Sequence, residues 1–456
     1  MDYFSNITNN DNSMSFILNN GQQTNIDKSL PNAIRRLALS EFPTYSFNSD
    51  PYSDCDITIS DNTTSLNNEF MAHRIGLIPI NIVPIEYFNE DNIQFEINCK
   101  NVDKDMKTIT SKDIKIRYIN TGKLLEEDKR DLVFPPNKIS GDYILIGILK
   151  PNIYDPEKGE EFKCIAKCSR GIGKQHSRYS PVSKIVMYNT KDPNKVNKLK
   201  KETIAKKTEE LERPLTDEEL VKVNKQIDIF DADRCYYTDD NNEPNVFHID
   251  LETIGVYSNQ YIISHSLHIL KEKMELFKSY IEKGSIEFVE FIHPETLNSN
   301  YIDTIIKYDT HTLGNILQSY LFKNHLNKEI KFVGYKVPHP LETKCIIRIE
   351  LNTEDKIDKK IELVKSLMIN TIDYINSIAI SLKNEWDNHH NITPNKDIKS
   401  HTTSKVENKT IQAEIGITTN EVNLGKEVEV DKEVVEVVEV VEEVPKKRKK
   451  LKIVQK

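Results

Sequence analysis

The chain has 456 residues, 38% hydrophobic and 29% charged, with a formal net charge of −9; that length predicts two or three cores rather than one. The acidic balance excludes a protein whose whole surface coats phosphates, so any nucleic-acid contact has to be local. No apolar stretch approaches the roughly 20 residues needed to cross a bilayer, and the six cysteines (Cys55, Cys99, Cys164, Cys168, Cys235, Cys345) follow a polar start without a secretory signal, which predicts a soluble protein in a reducing compartment with no membrane partner.

A short strand, Met14 to Leu18, precedes the first periodic segment, Ser29 to Phe42. There Leu30, Ile34, Leu37 and Ala38 follow the three-and-four spacing of one helical face, and Arg35, Arg36 and Glu41 fall off it. Ser29 is the expected cap, Pro31 fits the first turn, and Pro43 stops the helix. From Thr44 to about Ser183 short alternating runs such as Cys55–Ile59, Ile114–Tyr118 and Phe162–Ala166 predict an inserted, sheet-rich domain. Within it Glu69 to Ile75 can form one or two helical turns closed by Gly76.

Charges dominate Thr190 to Asn245, which reads as solvated helices around Pro214. The strand Val246 to Leu251 then leads to a long helix with Ile263, Leu267, Leu270, Met274, Phe277 and Ile281 in one apolar seam, ended by Gly284. A similar plan follows. Strands Ile286–Ile292 and Ile302–Tyr308 precede a helix with Leu313, Ile316, Leu317, Tyr320 and Leu321 on one face, capped by Asp309 or Thr310. Strands Ile330–Tyr335 and Lys344–Leu351 flank a turn at Pro338, His339 and Pro340, and a long helix from Lys356 to Trp386 carries Ile357, Ile361, Val364, Met368, Ile372, Ile375, Ala379 and Leu382 on one side. Beyond Asn388 the composition predicts a disordered tail, ending in an acidic valine–glutamate run and a basic cluster, Lys446 to Lys450.

Each unit thus pairs a short amphipathic helix with a long seamed one, and each leaves helix surface to cover. Burying four or five large side chains per unit against the other gains on the order of 10 kcal/mol before ordering costs. Two mutually pairing units in an α+β fold are the expected result. Catalysis finds no support: there is no G-x-x-x-x-G-K loop and no G-x-S-x-G elbow, and His73, His176 and His311 stand isolated in sequence. The basic tail leaves a free-standing nucleic-acid-binding protein as the alternative reading.

The segments NAIRRLALSEFPT (Asn32 to Thr44) and NNEFMAHRIGLIPI (Asn67 to Ile80) resemble the D-type subunit of archaeal and eukaryotic RNA polymerases and its bacterial alpha counterpart. FKCIAKCSRGIGKQHSRYSPVSKI (Phe162 to Ile185) and FHIDLETIGVYSNQYI (Phe247 to Ile262) match the same subunit in the same order. The second unit is similar to the small L-type partner through KYDTHTLGNILQSYL (Lys307 to Leu321) and FVGYKVPHPLETKCIIRI (Phe332 to Ile349). Both in one chain resemble polymerase subunits of large nucleocytoplasmic DNA viruses.

The resemblance implies a non-catalytic platform on which the two largest polymerase subunits assemble with small subunits, DNA being met only through the complex, in an intracellular or virion setting. Leu30, Ile34 and Leu37 would pair with Leu313, Ile316, Leu317 and Tyr320. Arg35 and Arg36 would face a large subunit, and Glu69, His73 and Arg74 the second-largest one, against the alternative that the latter three only order their turn. The expected division is 1–43 plus 185–283 for the D-type unit, 44–184 for the inserted domain, 284–388 for the L-type unit and 389–456 for the tail. Many D-type subunits carry a cysteine cluster in the inserted domain. Cys99 stands alone here, and Cys164 and Cys168, on one face of a strand, supply only two ligands, so no metal and no other cofactor is expected.

Overall fold

A computed structural model describes residues 3–19, 25–82, 90–294 and 300–392, all within one compact unit; the acidic run and Lys446–Lys450 lie outside them. The chain opens with β1 (Phe4–Asn9), a strand its polar sequence does not predict, which pairs antiparallel with β2 (Ser13–Leu18). In β2 the alternation is plain: Met14, Phe16 and Leu18 are buried and the intervening residues face outward. Helix α1 (Ser29–Ser40) is shorter than expected, and its N-cap position is Lys28 instead of Ser29; Asp27 Oδ1, one residue earlier, accepts the Ser29 backbone N–H at 2.8 Å.

The chain then enters a separate sheet region. It holds β3 (Pro43–Ser46), β4 (Ile57–Asn62), α2 (Asn68–Gly76), β5 (Ile93–Lys100), β6 (Lys107–Thr110), β7 (Lys115–Tyr118), α3 (Glu127–Val133), β8 (Leu145–Leu149), β9 (Glu161–Ala166) and β10 (Ser169–Ile172). Strands β4-β9-β5-β7 form one sheet, with β6–β8 and β3–β10 as two-stranded pairs. Their apolar faces share a hydrophobic cluster running from Tyr45 to Cys168. Cys168 lies beyond the end of β9, so it does not share a strand face with Cys164 as its spacing predicts. Burial pushes the Cys99 thiol up to about 11 and Cys164 up to about 12. Among the described residues no group of three or more His, Cys, Asp or Glu side chains is gathered as a metal site.

After this region come β11 (Val182–Asn189), α4 (Pro193–Leu211), α5 (Asp217–Phe230), β12 (Phe247–Thr253) and α6 (Asn259–Lys283). α4 buries none of its residues and α5 only Val223 and Ile227, as the charge density predicts. The last stretch is β13 (Val289–Ile292), β14 (Tyr301–Ile306), α7 (His311–His325), β15 (Ile330–Lys336), β16 (Cys345–Leu351) and α8 (Ile357–His390). The first sheet has the order β1-β2-β12-β11 and the second β13-β14-β16-β15. These are the same path: two strands, a short helix, two strands and a long helix, with the sheet region and the α4–α5 pair added to the first copy. The fold is α+β, built of two repeated units. Among the described residues no helix is long and apolar enough to cross a membrane.

Two local arrangements carry measurable consequences. Gly76 ends α2 where a Cβ would stand 2.6 Å from Ser49 Oγ and 2.8 Å from Arg178 Nη1. That buried guanidinium donates to the Phe47 carbonyl at 2.8 Å, to Ser49 Oγ at 2.6 Å and through Nε to His176 Nδ1 at 3.0 Å. On α6, His265 stacks on Tyr261 and meets the edge of Phe42, with ring centroids 5.3 and 5.1 Å apart. Burial, aided by His268 and Lys383, lowers its pKa to about 4.

Gly76→Ala is therefore expected to lower stability by about 1–3 kcal/mol in urea unfolding, by forcing Arg178 from its acceptors. For His265 the folded pKa is depressed, so the unfolded chain binds the extra proton and stability rises with pH. The contribution is complete above the unfolded value of about 6.5 and fades towards pH 4, on the order of 3 kcal/mol at most. His265→Phe should flatten that acid limb in unfolding midpoints measured from pH 7 to 4; an unchanged slope would contradict the assignment.

Candidate functional site

The face that neither repeat can cover alone is where the candidate residues meet. Leu30, Ile34 and Leu37 of α1 and Leu313, Ile316, Leu317 and Tyr320 of α7 are each no more than 2% exposed, within one hydrophobic cluster that spans both units. α1 packs on α7 and on α6, and α6 lies along α8. The long helices run antiparallel: Ser264 Oγ donates to Asp387 at 2.6 Å near one end, and Lys278 meets Asp373 at 2.7 Å further along. Trp386 plugs that end. Its indole N–H donates to the Gln260 carbonyl at 2.9 Å, and its ring packs on Phe4 and Phe16 at 4.8 and 5.0 Å. Ile357, assigned to the same seam by its spacing, is instead 47% exposed as the first residue of α8.

Polar contacts fix how the short helices dock. Arg36 Nε donates to Thr312 Oγ1 at 2.8 Å, Tyr320 Oη donates to the Asn25 carbonyl at 2.9 Å, and Ser319 Oγ donates to Asp27 Oδ2. Thr310 holds the N-cap position of α7, and its N–H is accepted at 2.6 Å by Oδ1 of the residue before it, Asp309. Asp309 Oδ2 is 2.7 Å from Lys273 Nζ, which also lies 2.9 Å from Glu41 Oε1 at the end of α1. Burial alone pulls the Lys273 ammonium down, but the two carboxylates outweigh it and hold its pKa above the ordinary value.

The other candidate residues divide. Arg35 is half-buried, its Nε donates to Asn32 Oδ1 at 3.0 Å, and burial with the neighbouring Arg36 charge lowers its pKa. Among the described residues no carboxylate forms an ion pair with either arginine. Glu69 and His73 point outward from α2, whose first turn is capped by Asn67 accepting the Phe70 N–H at 2.9 Å. Arg74 is turned back: Nε donates to the Ile146 carbonyl at 2.6 Å and Nη2 to that of Leu145 at 2.9 Å, tying α2 to β8. Pro338, His339 and Pro340 lie in the β15–β16 connection, where His339 Nδ1 accepts the Leu341 N–H at 3.2 Å.

Sequence reading missed Lys273, Asp27 and the anchoring part of Trp386. Trp386, the chain's single tryptophan, was a visible signal; an ion cluster of residues 41, 273 and 309 has none, because only the fold brings them together.

The segment 22–274, more than half of the chain, matches the RNA polymerase Rpb3/Rpb11 dimerisation domain family, and residues 301–379 match a second description of that domain. Similar curated proteins include a conjugation stage-specific protein of Tetrahymena thermophila, 22% identical over 59% of this chain and 92% of its own length. The RPB3 subunit of DNA-directed RNA polymerase II from Schizosaccharomyces pombe is 27% identical over 58% of this chain and 82% of its own. Subunit RPAC1 of DNA-directed RNA polymerases I and III from Homo sapiens is 30% identical over 35% of this chain and only 47% of its own. With one matching segment in each repeated unit, the chain belongs to the RNA polymerase Rpb3/Rpb11 dimerisation domain family.

Proposed function

We propose that this protein is a non-catalytic scaffold of a DNA-dependent RNA polymerase, carrying a D-type and an L-type unit in one polypeptide that pair with each other and present a platform to the two large catalytic subunits. The observation that carries this reading is the shared core: two units of one topology bury their short helices against each other. A linker between them turns pairing into an intramolecular step with an effective concentration of roughly millimolar order. The division 1–43 plus 185–283, 44–184, 284–388 and 389–456 is the domain organisation we assign, and the fused arrangement points to a viral transcription complex.

The surface supports a division of labour. Leu30, Ile34, Leu37, Leu313, Ile316, Leu317 and Tyr320 serve pairing inside the molecule. Arg35, the outer part of Arg36, Glu69 and His73 serve contact with large subunits; guanidinium groups without an internal carboxylate suit acidic or carbonyl-bearing partner surfaces. Arg74 acts mainly inside, by holding α2 to β8.

Affinity purification of the tagged full chain from cells expressing the polymerase should recover both large subunits, identified by mass spectrometry; recovery of neither would refute the scaffold reading. Leu37→Asp with Leu317→Asp buries two carboxylates in the shared core and should abolish that recovery. Arg35→Ala with His73→Ala should reduce large-subunit recovery several-fold while moving the unfolding midpoint little, whereas Arg74→Ala should cost about 1–3 kcal/mol of stability.

A further inference from the structure

The two units are equivalent in path but not in charge. Asp27 and Asp309 each stand two residues before a short helix, since α1 begins at residue 29 and α7 at residue 311 (29 − 27 = 311 − 309). Each reaches across to the other unit: Asp309 meets Lys273 of α6, whereas Asp27 meets the neutral Ser319 hydroxyl of α7. Lys273 lies 14 residues beyond the start of α6 (273 − 259), and the residue 14 beyond the start of α8 (371 − 357) is Thr371. Thr371 is buried and its hydroxyl donates to Leu367 O of its own helix at 2.8 Å. Of two equivalent corners, only one holds a cation.

We propose that Lys273 selects the pairing of unlike units: it is the shared counter-ion of Glu41 from the first unit and Asp309 from the second, and a second unit paired with a copy of itself would lack that cation. This rests on the scaffold reading above. The Asp309 side chain is 4% exposed, and its Oδ2 has no aligned hydrogen-bond donor, so the nearby ammonium is what compensates its charge. Were the second unit paired with a copy of itself, that carboxylate would face Thr371 in an apolar seam. A buried charge without a partner is far costlier than a neutral group in the same place.

The test uses the full chain and its thermal midpoint. Lys273→Met should lower the midpoint by about 10 °C, because it strands two carboxylates. Neutralising all three, with Lys273→Met, Asp309→Asn and Glu41→Gln together, should recover at least half of that loss. Lys273→Thr with Thr371→Lys keeps composition and net charge, and should stay as low as Lys273→Met. An unchanged midpoint for Lys273→Met, no recovery in the triple variant, or full recovery in the transplanted one would each overturn the proposal. Zero-length carbodiimide linkage of Lys278 to Asp373, 2.7 Å apart across α6 and α8, reports pairing independently. Its formation in the native chain supports the paired state on which the variants are read; its absence there would overturn the paired scaffold itself, and the role of Lys273 with it.

Discussion

Everything in this fold depends on covering apolar helix faces that a single unit cannot cover. A sheet of four strands buries one side of a short and a long helix, and the remaining sides stay apolar: Leu37, Leu267 and Met274 in the first unit, Leu317, Ile372 and Ala379 in the second. Water in contact with those faces is the alternative to pairing, at about 25 cal/mol per Å² of apolar surface. One continuous cluster is the outcome. Polar groups at its margin do not supply the drive; they select among the ways two similar slabs can be laid together.

The sheet region inserted into the first unit obeys a different constraint. It has its own apolar cluster, so it adds surface without entering the paired core. Inside it, α2 is seated against polar, buried groups, Arg178, His176 and Ser49, with no room beside Gly76. That seating holds α2, and with it Glu69 and His73, at a set position relative to the region's sheets. A contact surface on a short helix is only as exact as the groups that hold the helix.

Periodicity made the helices and most strands legible, because burial on one face leaves its mark on every third or fourth residue, or every second one. The repeated path was legible for the same reason. What escaped was long-range or terminal. β1 is polar along its exposed positions and gains its place by pairing with β2 and packing Phe4 against Trp386. Ile357 kept the spacing of the α8 seam but lies at the helix start, past the last partner side chain. Ser29 is not the cap its sequence position predicts, because it is already the first residue of α1 and its own N–H is accepted by Asp27. Of the exposed candidates, Arg74 also gives Nε and Nη2 to the β8 backbone, a contact that no motif reading could show.

The backbone N–H groups of Tyr3 and Phe4 both donate to Glu385 Oε1, near the C-terminal end of α8. A strand of the first unit is thus completed by a helix 382 residues further along the chain. On a ribosome adding roughly 5–20 residues per second, the opening strand waits tens of seconds for its anchor. The first sheet keeps an unfinished edge for that whole interval, and completing it reports that the second unit has been made.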